Sequence, residues 1–94
     1  MYKPMYELTI IFAPVSNGRL EELQDCCNRV IKNGSGNIIS FKSQRKDFAK
    51  PIKGFHKGII ASLQFMAPPA TANSLYNHLM GEQEIITFGM ETIR

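Results

Sequence analysis

The stretch YELTIIFA, residues 6–13, alternates strongly apolar and mixed positions with a period of two. One face carries Tyr6, Leu8, Ile10 and Phe12. The other face is still fairly apolar, as is typical of a central strand of a sheet. Residues 58–66 repeat this character, with Ile59, Ala61, Leu63 and Phe65 on one face. The two stretches therefore predict two central strands, and the first ends at Pro14.

Two other segments have the apolar spacing of amphipathic helices. The first, over residues 18–32, begins after a capping Ser16 or Asn17 and presents Leu20, Leu23, Cys27, Val30 and Ile31. Asn33-Gly34 is predicted to supply the left-handed residue that ends it. The second follows Pro68-Pro69, which suit a first helical turn, and ends at Gly81 after Ala72, Leu75, Tyr76 and Leu79.

Three further segments complete the chain. Residues 36–47 begin as a strand, with Ile39 and Phe41 expected to face the core and Ile38, Ser40, Lys42, Gln44 and Lys46 expected on the opposite face. Residues 48–57 contain Pro51 and Gly54 and predict a loop. Residues 84–93 predict the last strand, with Ile86, Phe88 and Met90 on one face.

The resulting order is β-α-β-β-α-β, the pattern of the ferredoxin-like fold. We therefore predict an α+β protein whose four-stranded antiparallel sheet carries both helices on one face. In this topology the first and third strands are central, which matches their apolar character, and the second lies at an edge. A chain of 94 residues predicts a single domain over residues 1–94.

Residues 42–57, here called the basic segment, contain six Lys or Arg residues and one acid, Asp47, whereas the remaining residues carry a small negative balance. Each lysine or arginine that meets a phosphate releases a counterion, so the segment suggests a polyanionic partner. Basic residues on an edge strand also serve simply to prevent edge pairing. The local sequence favours neither interpretation over the other.

Several functional classes lack their motifs. The adjacent Cys26 and Cys27 have no second pair, so no metal site and no cofactor are predicted. They would be awkward to bridge to each other, which fits a reducing compartment, and they are interpreted as small helix residues. No phosphate-binding glycine motif or catalytic triad is visible, and no enzyme activity is expected. The apolar runs are too short to cross a membrane, and no signal peptide is expected.

Lys53-Gly54-Phe55 imitates the start of an RNA-recognition-motif signature, but His56 and Lys57 break the match. The outward face of the central strands offers no ring on which a base could stack. That face is better suited to a protein partner. Phe48 and Phe55, which lie among lysines, could stack on bases, although anchoring the predicted loop to the core is the favoured interpretation.

Five motifs resemble, in order and spacing, the bacterial-type ribosomal protein six family of the small subunit. They are Tyr6-Glu7-Leu8, Ala49-Lys50-Pro51-Ile52, Gly58, Met66-Ala67-Pro68 and Glu84-Ile85-Ile86-Thr87-Phe88. Lys50 departs from the family's usual aromatic, Ile59-Ile60 replaces an aromatic pair, and the charged tail of the family is missing. This divergence favours a mitochondrial ribosome, with the bacterial cytoplasm as the alternative.

The resemblance implies a structural protein that binds the central domain of small-subunit ribosomal RNA together with ribosomal protein eighteen and other ribosomal proteins. The residues expected to contact RNA phosphates are Lys42, Arg45, Lys46, Lys50, Lys53, His56 and Lys57. Two alternatives remain open. One is a small-ligand regulatory module or dimeric enzyme of the same fold, and the other is a generic protein-interaction domain.

Overall fold

The computed structural model describes residues 2–93 and shows the six predicted elements in the predicted order. They are β1 (Met5–Phe12), α1 (Asn17–Asn33), β2 (Asn37–Ile52), β3 (Phe55–Met66), α2 (Pro69–Met80) and β4 (Ile85–Ile93). The strands form one sheet in the order β2-β3-β1-β4, and every neighbouring pair is antiparallel. The predicted ferredoxin-like fold, with β1 and β3 central, is confirmed.

The core lies between one face of the sheet and the two helices. The sheet contributes Leu8, Ile10, Phe12, Ile59, Ala61, Leu63 and Phe65, and the helices contribute Leu23, Cys27, Ile31, Ala72, Leu75 and Leu79. Burial raises the pKa of the Cys27 thiol to about 12. Cys27 therefore stays protonated near neutral pH and acts as a small core residue. Tyr76, placed by its spacing with the apolar residues of α2, is instead 44% exposed.

The end of α1 differs from the prediction. Gly34 has a φ of −93°, and the left-handed residue is Ser35, with a φ of 65°. Gly34 is needed for a different reason, namely the close approach of α2. A Cβ atom at this position would lie 2.8 Å from the Cβ atom of Thr71, whose hydroxyl donates a hydrogen bond of 2.6 Å to the Gly34 carbonyl.

We expect Gly34→Ala to lower the free energy of unfolding by about 1–3 kcal/mol, because the added methyl group would overpack the contact between the helices. Gly18→Ala is the matched control, since a Cβ atom there meets nothing within 4 Å. Gly18 lies in α1, so its replacement should leave stability unchanged or raise it by under about 1 kcal/mol. Urea denaturation followed by circular dichroism measures both values, and an unchanged Gly34→Ala variant would contradict the close approach.

Arg19 connects the first turn of α1 to the segment that precedes β4 through ion pairs. Its guanidinium lies 2.9 Å from a carboxylate oxygen of Glu84, 3.3 Å from Glu82 and 3.1 Å from Glu22. The hydrogen bond from Arg19 lowers the pKa of Glu84, and the same bond raises the pKa of Arg19. This arginine is therefore engaged within its own fold.

A β-bulge in β2 changes which residues of that strand face the core. Ile38 pairs with Phe65 and Ser40 pairs with Gln64, so Ile39 is the extra residue. Ile39 was predicted to face the core, but it is 47% exposed, whereas Ile38 packs against the core. The prediction was wrong for both residues because a bulge inserts one residue and reverses the alternation before it. Beyond the bulge, Phe41 packs against the core as predicted.

Candidate nucleic-acid interface

The predicted loop over residues 48–57 is instead the end of a β-hairpin formed by β2 and β3. The turn consists of Lys53 and Gly54, with φ values of 48° and 85°, flanked by the pair Ile52 and Phe55. Two residues with positive φ suit the twist of a tight hairpin. The loop prediction was wrong because Pro51 lies in β2 at a place where the strand pairing is irregular. In this stretch the four residues 48–51 lie opposite the single residue His56.

The hairpin extends beyond the rest of the sheet. The pairing of β1 with β3 stops at Phe12 and Ile59, whereas β2 and β3 stay paired through Asp47 and Lys57 toward the turn. The end of the hairpin is therefore a two-stranded ribbon. Most of the basic segment lies on this ribbon, which carries its charges away from the core.

The seven predicted RNA-contacting residues are all exposed but do not share one face. The register places Lys42 opposite Ser62 and Lys46 opposite Gly58, on the sheet face that the helices leave open. Arg45 lies on the other face, where its guanidinium donates hydrogen bonds of 2.8 Å to the Val15 carbonyl and to Asn17 Oδ1. These two hydrogen bonds connect Arg45 of β2 to the part of the chain where β1 leads into α1.

The five lysines of the basic segment are not neutralised within the fold. Among residues 2–93, the ion pairs involve only Arg19 and His78 as the basic partners. Lys57 lies opposite Asp47 in the pairing, and this carboxylate offsets one positive charge at that position of the ribbon. The remaining lysines of the segment present their charge to solvent, where a polyanion can reach them.

The two aromatic residues of the basic segment have different environments. A Cβ atom at Gly58 would lie 2.7 Å from Phe48 Cζ, so the Phe48 ring packs directly over that glycine within the hairpin. Phe55, beside the turn, is 40% exposed. Anchoring to the core is therefore confirmed for neither ring, because Phe48 packs within the ribbon and Phe55 is exposed beside the turn. The sequence did not predict this difference, because neither phenylalanine belongs to a regular alternation of apolar and polar residues around Pro51.

The face of the sheet that the helices leave uncovered, here called the open face, is semi-apolar along its central strands. β1 and β3 present Glu7, Thr9, Ile60, Ser62 and Gln64 there, in register with one another. Glu7 Oε2 accepts a hydrogen bond of 3.0 Å from Gln64 Nε2. None of these side chains is aromatic, so they offer no ring on which a base could stack.

Residues 2–93 contain no group of three or more His, Cys, Asp or Glu side chains placed to hold a metal ion. No helix in this range has the length and apolar character needed to cross a membrane.

Solved structures with the same fold come from several proteins. The 30S ribosomal protein S6 of Thermotoga maritima matches with a TM-score of 0.88 and 24% identity, over 98% of this chain and 89% of that one. The C-terminal domain of the MgtC protein from Mycobacterium tuberculosis matches with a TM-score of 0.70 and 10% identity, over 97% and 88% of the two chains. An uncharacterized protein from Thermotoga maritima matches with a TM-score of 0.61 and 17% identity, over 99% and 100%.

These likenesses, all below 25% identity, establish the fold. No curated protein shows significant sequence similarity to the chain. The family model for ribosomal protein S6, however, matches residues 5–90, from the first residue of β1 into the last strand. The match includes the whole basic segment and both helices. The chain therefore belongs to the ribosomal protein S6 family.

Proposed function

We propose that the basic segment binds the central domain of small-subunit ribosomal RNA through its phosphates. Membership of the family makes the chain a structural protein of the small ribosomal subunit and not an enzyme. The observation that carries the proposal is a projecting ribbon whose lysines have no ion-pair partner among residues 2–93. Phosphate contacts of this kind fix position on RNA without reading its sequence.

The proposed contacts are not equivalent. Lys42, Lys46, Lys50 and Lys53 are exposed and are the strongest candidates, with Lys57 and His56 beside them. Arg45 has two donor positions engaged by its own chain, so it offers RNA only its remaining N–H groups. Phe55 joins the set, because an exposed ring beside lysines can stack on an unpaired base.

The open face of the sheet is the proposed surface for a protein neighbour. Its central positions are semi-apolar, and Ile60, which pairs with β2, is half-buried there. The resemblance to the ribosomal protein six family supports ribosomal protein eighteen as that neighbour. It also supports a place on the ribosome, in a mitochondrion or in the bacterial cytoplasm. The RNA would then lie along the ribbon and the protein against the sheet.

Sedimentation tests this proposal. A tagged copy should travel with small-subunit particles in a sucrose gradient, and ribonuclease treatment should release it. In a comparison variant, Lys42, Lys46 and Lys50 of the same copy are replaced by glutamate. This variant should shift toward the top of the gradient. Absence of the unaltered chain from small-subunit fractions would contradict the proposal. Recovery as a metabolite-bound dimer free of RNA would instead support the small-ligand alternative.

A further inference from the structure

The two outer strands of the sheet differ in how they are protected from further pairing. The β2 edge carries Lys42, Lys46 and Lys50, together with Pro51 and the bulge at Ile39. These features discourage another strand from adding there. The strand β4 pairs with β1 on one side only, and its residues 85–93 contain one charged side chain and no proline. The outer side of β4, here called the β4 edge, is therefore open to strand addition.

An apolar patch borders the β4 edge on the helix side. The rings of Tyr76 and Phe88 meet at an angle, with centroids 5.0 Å apart. Tyr76 is 44% exposed and Met80, also on α2, is 66% exposed. A strand added to β4 could place apolar side chains on this side and reduce the exposure of the patch, which favours binding in proportion to the area covered.

On the open face, the same edge carries an unmatched negative charge. Glu91 lies directly opposite Glu7 in the pairing of β1 with β4. Like charges at directly opposite positions repel each other. Glu7 accepts a hydrogen bond from the neutral Gln64, while Glu91 is exposed and has no ion-pair partner among residues 2–93. A cation placed next to Glu91 on an added strand would relieve this repulsion.

We propose that the β4 edge binds an extended segment of another protein that pairs with β4 and has the local pattern apolar–basic–apolar. The basic residue lies opposite Gly89 on the open face, diagonally next to Glu91, and its two neighbours lie opposite Phe88 and Met90 on the helix side. Side chains alternate between faces along a strand, so one register satisfies both requirements. This inference rests on the proposed function, because it specifies the chemistry of the protein neighbour at the sheet.

A second copy of this chain fits the β4 edge less well. Residues 85–93 contain no lysine, arginine or histidine, so no pairing of these residues from two copies places a cation beside Glu91. Pairing of β4 with the basic β2 edge of another copy would supply one. That contact is heterologous, however, and would extend into a ring or an open-ended array and not a closed pair. A different protein with a basic strand is therefore the occupant that we propose.

Peptide titration monitored by NMR tests the proposal. The probe is the capped peptide Thr-Val-Thr-Val-Arg-Val-Thr, and its matched control has Glu in place of Arg. Binding of the Arg peptide should move the amide signals of residues 85–93, and it should be about fivefold tighter than that of the Glu peptide at low salt. In the Glu91→Lys variant this preference should reverse. Glu21→Lys, an exposed change of equal charge on α1, should leave the preference unchanged.

Three outcomes of the titration would overturn the proposal. These are signal changes confined to β2, equal binding of both peptides, and a preference that Glu91→Lys does not alter. Concentration-dependent self-association in sedimentation equilibrium would also overturn it, by showing that a second copy occupies the edge. RNA affinity of Glu91→Lys is measured in parallel. Its retention, combined with a failed peptide titration, would reject this inference while leaving the proposed RNA function intact.

Discussion

Replacing Lys42, Lys46 and Lys50 together by glutamate is expected to weaken binding to a central-domain transcript of small-subunit RNA by at least about tenfold. The three side chains are exposed, and none lies opposite Asp47 in the hairpin pairing. The change therefore removes the proposed phosphate contacts without placing two acids face to face across the ribbon. Filter binding at several salt concentrations measures the effect.

The salt dependence of the affinity is the sharper readout. Each lost phosphate contact should reduce the slope of log affinity against log salt by about one, so the triple variant should lose about three. The matched control replaces Lys3, Arg29 and Lys32 by glutamate, which changes the net charge equally but leaves the basic segment intact. The control should retain the slope of the unaltered protein.

The two variants together separate a local interface from a general charge effect. An unchanged affinity and slope in the triple variant would show that the basic segment is not the RNA surface. Equal losses in both variants would show that net charge, and not the ribbon, governs binding. Circular dichroism of each variant checks that the fold is retained.

Phe65→Ala is expected to give a large loss of stability, about 3–5 kcal/mol in the free energy of unfolding. Phe65 is fully buried, and its ring stacks on Tyr6 with centroids 5.3 Å apart. Its removal leaves a cavity between the centre of the sheet and the helices, which the surrounding side chains fill only in part. Urea denaturation at fixed pH measures the loss.

Phe55→Ala is the matched control, because it removes the same side chain from the same strand. Phe55 is 40% exposed at the turn of the hairpin, so its loss should cost less than about 1 kcal/mol. In the RNA assay the order should reverse, with Phe55→Ala reducing affinity if the ring stacks on a base. Similar stability losses in the two variants would contradict the burial of Phe65 and the exposure of Phe55.

Much of the fold could be predicted from local patterns. The alternation of Leu8, Ile10 and Phe12, and its repetition in residues 59–65, marked the two central strands because a strand covered by helices needs an apolar face. Helical spacing and Ser16 marked α1, and Ser16 does accept the predicted capping bond, from the Arg19 amide at 3.1 Å. The concentration of charge in residues 42–57 marked the candidate interface.

Other features depend on contacts between distant parts of the chain, and the sequence alone did not reveal them. The bulge at Ile39, the hairpin turn at Lys53-Gly54 and the close contact of Gly34 with Thr71 depend on how each segment meets its neighbour. The same holds for Arg45, which follows the basic pattern but turns toward Val15 and Asn17.

Hydrophobic periodicity and composition are local properties, so the element order, the central strands and the location of the charge could be predicted from them. Contacts between distant segments establish which lysines share a face, which aromatic ring packs within the hairpin and which edge of the sheet stays open. These features follow from strand register, and a single inserted residue is enough to exchange the two faces of a strand.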